Sequence, residues 1–357
     1  MIVVVDGESP DLLERIGEVR AAGRAVLIAD PRWSAAQRAG VEGLASRTEV
    51  PVDIAWATLT SGSSGDPRIV LRSAASWTAS FAAVSTLLDA RPDDTVSLPA
   101  PPAASLTLFS LAHALEGGPR PAPGVDVDAT LAHVTPQGLR ALLDAGGRPR
   151  CALVGGSQLD PALRARAEAA GVRVVSYYGA AELSFVAIDT GDGLRAFPGV
   201  ELQIRGEQVW VRSPFVAHGY LGAAGPLERS GEWATVGDRA ELRDGRLRLR
   251  GRRDGALLSA SATVVPDEVE TVLREIPGVR DAVVFGMPRP GIGVLVAAFV
   301  ETEGDGPLDL RADAAERLAP AHRPRRWFFG RIPRTLSGKP ARAEVERLAA
   351  AMGRSRG

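Results

Sequence analysis

Ile54-Ala55-Trp56-Ala57-Thr58-Leu59-Thr60-Ser61-Gly62-Ser63-Ser64-Gly65-Asp66-Pro67-Arg68 is the stretch on which the fold turns. Its first half reads as an apolar strand, and its second half is a turn rich in glycine and hydroxyl groups. From Ser73 to Ala90 the residues Trp77, Phe81, Val84 and Leu88 then recur at helical spacing. Strand, tight turn and helix in that order build a layered α/β domain. Glycines let the backbone come close to a ligand, and the hydroxyls of Thr60, Ser61, Ser63 and Ser64 with free N–H groups suit phosphate oxygens. Arg68 adds positive charge. The spacing of a Walker loop is absent. Taken alone, this turn reads equally well as a plain flexible loop.

Working outward, the chain alternates β-branched runs with helical patterns. Ile2 to Val5 and Ala25 to Ala29 read as strands, and Pro10 to Ala22 as a helix with Leu12, Leu13, Ile16 and Val19 on one face. Downstream come a helix at Pro136 to Ala145, a strand at Ala152 to Val154, a helix at Pro161 to Ala170 and a strand at Val172 to Ser176. The alternation implies α/β layers around an at least partly parallel sheet. Glu116 to Gly124, rich in Pro and Gly, reads as a loop too short to link domains. From Val200 to Leu249 short alternating strands imply a β-rich subdomain. Beyond Asp254, a helix from Pro266 to Glu275, strands at Val279 to Phe285 and Val294 to Val300, a helix near Leu310 to Leu318, a strand around Trp327 to Phe329 and a last helix form a small α+β unit. The expected division is residues 1–254 and 255–357.

Bulk properties exclude several function classes. With 45% hydrophobic and 24% charged residues the chain is of ordinary globular composition. A net charge of -1 leaves no basic excess for a nucleic-acid backbone. Arg246-Leu247-Arg248-Leu249-Arg250 alternates as one solvated face of a strand would. The single Cys151 precludes an internal disulfide or a cysteine-built metal site, and its apolar neighbours mark it as a core residue. No apolar run is long enough for a membrane span, and the N-terminus lacks the basic start of a signal peptide. A cytosolic protein is expected.

Of 42 basic residues only Lys339 is lysine, in Pro333-Arg334-Thr335-Leu336-Ser337-Gly338-Lys339. A coding bias toward arginine explains the other positions, and chance survival on a solvated loop is the ordinary explanation of this one. Lysine is a compact point charge on a flexible stem, while arginine is a planar fork, so a position that must push one small cation into a crowded site resists the exchange.

Three further segments bear chemistry. Tyr177-Tyr178-Gly179-Ala180-Ala181-Glu182 follows a predicted strand and offers an aromatic ring for a base and a carboxylate for a hard cation. Asp238, after Gly237, could accept from ribose hydroxyls, and Gly251-Arg252-Arg253-Asp254 precedes the change of fold character as a hinge would. Singly, each is explained by a core tyrosine, a turn aspartate or a surface charge run.

Together and in this order they resemble the adenylate-forming superfamily of acyl-CoA synthetases, peptide-synthetase adenylation domains and luciferases. Thr60 to Arg68 is similar to its phosphate loop TSG[ST]TGxPK, and Tyr178 to Glu182 to its YGxTE. Gly206-Glu207-Gln208-Val209 with Gly219-Tyr220 resembles its GE-x-x-V…GY strand pair. Asp238 falls on TGD, Arg252 and Asp254 on GRxD, Pro266 to Glu270 on PxEIE, and Pro333 to Lys339 on PxTxSGK. The resemblance spans nearly all the chain after Ile54. It implies an ATP-dependent carboxylic acid ligase that makes an acyl-AMP and passes the acyl group to CoA or to a carrier-protein phosphopantetheine. By resemblance Lys339 bridges carboxylate and α-phosphate, and Glu182, with Thr60, holds Mg2+. Thr60, Ser61, Gly62, Ser63, Ser64, Gly65 and Arg68 enclose phosphates; Tyr178, Gly179 and Ala180 lie at the adenine; Asp238 and Arg252 hold the ribose. Asp254 is the hinge on which the small C-terminal domain, carrying Lys339, swings. Gly155, Gly156, Ser157 and Ala181 line the acid pocket.

The departures also imply something. Fewer than sixty residues precede the phosphate loop, so the first N-terminal subdomain is expected to be missing or miniaturised. Ala181 and Val236 replace two threonines, and Ser259-Ala260-Ser261 stands where a glycine normally lines the pantetheine tunnel. Small residues in Pro99 to Ala104, in Gly155-Gly156-Ser157 and in Ala180-Ala181 point to room for a sizeable or aromatic acid. An amine acceptor and a non-catalytic acyl- or nucleotide-binding relative are the alternatives; Lys339, Glu182 and Asp238 weigh against the latter.

Overall fold

The computed structural model describes residues 1–33, 35–60, 68–157, 159–222, 225–252, 257–259, 262–264, 266–289, 293–303, 310–318, 322–335 and 338–354. The residues ahead of the phosphate-loop segment make a small α/β layer of their own. β1 (Ile2–Asp6), α1 (Leu12–Ala21), β2 (Ala25–Ala29), α2 (Ala35–Arg47) and β3 (Ile54–Thr60) follow one another, with the three strands parallel. β2 is buried along its whole length, as its unbroken apolar run requires of a strand covered on both faces. β4 (Arg68–Ser73) doubles back antiparallel to β3. A small α/β layer thus precedes residue 61 in the chain.

Ser73 then caps α3 (Ala74–Leu88) by accepting from the Ser76 amide, and Trp77, Phe81, Val84 and Leu88 are all buried as their spacing predicts. The chain continues through β5 (Thr95–Leu98), α4 (Ser105–Leu115), β6 (Arg120–Pro123), β7 (Leu131–Val134), α5 (Pro136–Asp144), β8 (Cys151–Val154), α6 (Pro161–Ala169) and β9 (Arg173–Ala180). β6, β5, β7, β8 and β9 lie side by side, all parallel. β10 (Ser184–Asp189) and β11 (Arg195–Ala196) extend the sheet antiparallel. Cys151 is a buried free thiol in this core.

Glu116 to Gly124, expected to be a loop, contains β6. It lies at the end of the sheet order, where a strand needs donors on one side only and tolerates Pro121 and Pro123. α4 escapes periodicity because Thr107 through His113 are all buried, leaving no polar stripe to set off an apolar one.

The β-rich unit follows. β12 (Glu201–Arg205) and β13 (Gln208–Arg212) form a hairpin whose turn residues Gly206 and Glu207 both have positive φ. β14 (Gly219–Gly222) does not pair with it, contrary to the expected strand pair: it crosses to the first sheet and lies antiparallel to β4. β15 (Glu228–Ser230), β16 (Trp233–Thr235), β17 (Asp238–Arg243) and β18 (Arg246–Arg252) complete the unit in the order β15-β16-β13-β17-β18. The alternation in β18 holds at Leu247, which is buried, but Arg250 is drawn into ion pairs with Glu241 and Glu268.

β19 (Leu257–Ser259), β20 (Ala262–Val264), α7 (Pro266–Arg274), β21 (Val279–Arg289), β22 (Gly293–Thr302), α8 (Leu310–Arg317), β23 (Arg326–Phe329) and α9 (Arg342–Arg354) form the last unit. Along β21, Ala282 and Val284 pack with α7 and α8, while Val283 and Phe285 pack with Phe328, Val345 and Ala349. That period of two is the mark of a sheet covered on both faces. Core clusters of the earlier layers stop at Leu247 and those of this unit begin at Val264. The expected hinge residue Asp254 lies outside the described residues.

Candidate active site

β8 and β9 are parallel neighbours, and the segments that leave their C-terminal ends line the crevice where open α/β sheets bind ligands. Gly155-Gly156-Ser157 follows β8. β9 runs four residues further than the sequence suggests, so Tyr178 points to one side of the strand, and Tyr177 and Gly179 to the other. The Tyr178 hydroxyl donates to Asp238 Oδ2 at 2.6 Å, across sixty residues of sequence. Asp238 opens β17 after a turn at Gly237 (φ 79°), whose amide donates to Thr235 Oγ1. Arg252 is its register partner on β18. A side chain at Gly179 would put its Cβ 2.1 Å from the Ser184 carbonyl, so the reversal from β9 into β10 requires glycine there.

Glu182 sits in that reversal and is 6% exposed. Its Oε1 accepts from the Tyr220 hydroxyl at 2.9 Å, which itself accepts from the Leu227 amide at 3.0 Å. Burial, with the charge of Glu182 beside it, pushes the Tyr220 phenol up, so it stays a neutral donor. Beneath the turn lies Arg72 of β4, 1% exposed. Its guanidinium donates to Ala181 O at 2.6 and 3.0 Å and to Phe215 O at 2.6 Å. Burial pushes it down to about 9, opposed by Glu182, so it remains a cation at neutral pH. The Ala217 amide donates to Glu182 O at 2.7 Å, tying the segment before β14 to the same turn. The Arg68 guanidinium stands over the Tyr220 ring at 5.9 Å. Thr60 ends β3, and Ser61, Gly62, Ser63, Ser64 and Gly65 lie outside the described residues.

Lys339 reaches the crevice from the last unit. The Thr335 amide donates to Lys339 O at 2.7 Å and the Gly338 amide to Thr335 O at 2.9 Å, closing a tight loop in which Gly338 has φ 81°. Arg334 anchors the loop to its own sheet through Asp281 at 2.8 Å. Gly338 lies against the β7–α5 junction: a Cβ on it would stand 3.5 Å from Thr135 Oγ1 and 3.7 Å from Gln137 Oε1. A Cβ on Gly156 would stand 3.7 Å from Lys339 Cε. Arg140–Glu303, at 2.9 Å, and Arg250–Glu268, at 3.3 Å, also join the two units. The structure therefore gathers Lys339, Gly156, Tyr178, Asp238 and Glu182 along the ends of β8, β9 and β16.

Residues 2–221 match the AMP-binding enzyme family, and residues 268–339 match the AMP-binding enzyme C-terminal domain. The chain belongs to the AMP-binding enzyme family. The 2-succinylbenzoate–CoA ligase of Salmonella typhimurium is 30% identical over 76% of this chain and 63% of that relative, so the chain spans a little under two thirds of its length. The R195K form of E. coli MenE with bound OSB-AMS has the same fold, with a TM-score of 0.84, 23% identity, and coverage of 97% of this chain and 87% of that one. MenE from Bacillus subtilis in complex with ATP and magnesium ion gives 0.80 at 19% identity over 97% and 89%.

For an AMP-binding enzyme the donor set is informative. Among the described residues no group of three or more His, Cys, Asp or Glu side chains could hold a metal. A single anchored carboxylate still suits Mg2+, which keeps several waters and takes its remaining ligands from phosphates. Val236, in place of a threonine, is buried. Arg72 went unnoticed in the sequence reading, although one charged residue ending the apolar run Ile69-Val70-Leu71 is a signal of buried pairing.

Proposed function

We propose that the protein is an ATP-dependent, AMP-forming carboxylic acid–thiol ligase. The observation that carries this is the Lys339 stem lying beside Gly156, which brings the chain's only lysine from the C-terminal unit to the crevice of the larger one. In the first half-reaction a carboxylate oxygen attacks the α-phosphorus of ATP and pyrophosphate leaves. Charge gathers on the phosphoryl oxygens, so catalysis rests on placed cations and on alignment. Lys339 supplies its ammonium between carboxylate and α-phosphate. Asp238, held by Tyr178, accepts from the ribose, and the Tyr178 ring lies at the adenine. Glu182, held by Tyr220, would bind Mg2+, which supplies charge neutralisation on the phosphates. In the second half-reaction a thiol sulfur attacks the acyl carbonyl and AMP leaves.

The thiol is that of CoA, or the phosphopantetheine of a carrier protein. Supplying each to the preformed acyl-adenylate and following AMP release separates the two. The boundary at residues 254 and 255, with Asp254 as its hinge, and a cytoplasmic location are parts of the same proposal; among the described residues no helix is long and apolar enough to cross a membrane. Lys339→Ala tests the core of it. Removing one placed charge from a phosphoryl-transfer site costs about 10²–10³ in rate, so acid-dependent pyrophosphate exchange should fall by that factor while the Kd for ATP changes only a few-fold. Exchange at the wild-type rate would refute the assignment.

A further inference from the structure

Behind the Gly155–Gly156 turn runs a polar chain set in apolar packing. The Tyr177 hydroxyl is 3.0 Å from His133 Nε2, His133 Nδ1 is 2.8 Å from Ser110 Oγ, and Ser110 Oγ is 3.3 Å from Leu106 O. Burial, with His113 nearby acting in the same direction, pushes the His133 imidazole down to about 3, and burial pushes the Tyr177 phenol up. Both are neutral around pH 7. A neutral imidazole has one N–H and one lone pair. Every member is satisfied when the phenol donates to Nε2, Nδ1–H donates to Ser110 Oγ, and Ser110 donates to Leu106 O.

This chain fixes the ring in place. Tyr177 also packs on Phe185, with ring centroids 4.7 Å apart. A Cβ on Gly155 would stand 2.1 Å from Tyr177 Cζ and 2.2 Å from Cε1, so the ring lies on the bare backbone of the turn. The room expected beside Gly155 for a sizeable acid is taken up by this ring. One residue further on, Gly156 meets the Lys339 stem. Ring and lysine thus flank the same two-residue turn, and the phenol oxygen faces inward to His133.

We infer that Tyr177 is the stopper of the acyl pocket and restricts the enzyme to acids with compact, apolar acyl groups. The inference rests on the ligase reading above: an acid whose carboxylate meets Lys339 beside Gly156 lays its acyl group along this turn and against the ring. With its hydroxyl held by His133, the ring offers carbon alone to the acyl group. Tyr177 is a specificity-determining residue here, and His133 and Ser110 are positioning residues that act through it.

The test uses the whole protein with ATP, Mg2+ and straight-chain acids from acetate to dodecanoate, scored by pyrophosphate release. One methylene too many in an apolar pocket costs about 10-fold or more in kcat/KM. Wild type should therefore favour the short acids and fall off steeply with length. Tyr177→Ala should raise kcat/KM for longer acids at least about 10-fold relative to short ones, with the KM for ATP unchanged. Tyr177→Phe keeps the ring but loses the hydrogen bond to His133 that holds it, so its length limit should relax, by less than that of Tyr177→Ala. A wild type that prefers dodecanoate, or a Tyr177→Ala enzyme with the wild-type length profile, overturns the inference. Pyrophosphate release with aromatic acids but with none of the straight-chain acids would overturn the inference and leave the ligase reading standing, whereas release with neither class would sink both.

Discussion

Replacing Arg72 with methionine should destabilise the protein and loosen its hold on Mg2+ together. The guanidinium is 1% exposed and donates to the carbonyls of Ala181 and Phe215, with Glu182 as its charged neighbour. Methionine fills much of the volume but donates nothing. Two buried carbonyls would lose a donor, at about 1–3 kcal/mol each. Glu182 would also lose the attraction of a nearby cation. The two carbonyls together set a working figure of about 4 kcal/mol. Against a total stability of about 5–15 kcal/mol, that is a large fraction. Thermal unfolding followed by circular dichroism should show Tm lowered by about 10 °C. The Mg2+ concentration for half-maximal pyrophosphate release should rise as the Glu182 turn becomes mobile. Arg72→Lys should fall between the two, because a point charge cannot span both carbonyls as the planar fork does. A Tm within about 2 °C of wild type, with an unchanged Mg2+ requirement, would refute the view that Arg72 builds the metal-binding turn.

Two further outcomes follow from the same geometry. Tyr220→Phe removes the donor to Glu182 and the acceptor for the Leu227 amide. It should raise the half-saturating Mg2+ about 10-fold or more, consistent with about 1.5–3 kcal/mol for a lost hydrogen bond to a charged group, and an unchanged Mg2+ titration would contradict it. His113 and His133 carry the pH dependence: burial holds them at about 4 and about 3 in the folded state, below the ordinary 6.5. The unfolded chain therefore takes up protons first as pH falls, so stability is lost progressively below about 6.5, by up to about 1.4 kcal/mol per pH unit for each histidine. Asp94, held down to about 2 by hydrogen bonding to Arg150, acts only at lower pH. Urea unfolding between pH 6.5 and pH 5 should show a shallower loss in His133→Gln than in wild type; equal slopes would refute the assignment.

Local chemistry was legible in the sequence wherever one residue type answers one local need. The helices expected from Ser73, Pro136 and Pro161 form there, with Ser73, Thr135 and Asp160 accepting from backbone amides at their starts. Trp77, Phe81, Val84 and Leu88 faced one way because a helix covered on one side repeats every 3.6 residues. The ordered motifs from Thr60 to Lys339 were enough to indicate the family. Periodicity fell silent where burial was not one-sided: α4 is buried nearly all round, and β6 is an edge strand built partly of proline.

The sequence by itself determined which side chains could do the chemistry: one lysine, one turn carboxylate, one ribose-ready aspartate. Only the tertiary structure decided what holds them, because Arg72 meets Phe215 across 143 residues, Glu182 meets Tyr220 across 38, and Lys339 comes from another unit to meet Gly156. Such pairings follow from the packing of whole sheets, with β14 crossing to β4 and β9 running on to Ala180, and no local pattern of residues encodes where two distant strand ends will lie. The same holds for Tyr177, whose place against Gly155 is set by a histidine and a serine from two other elements.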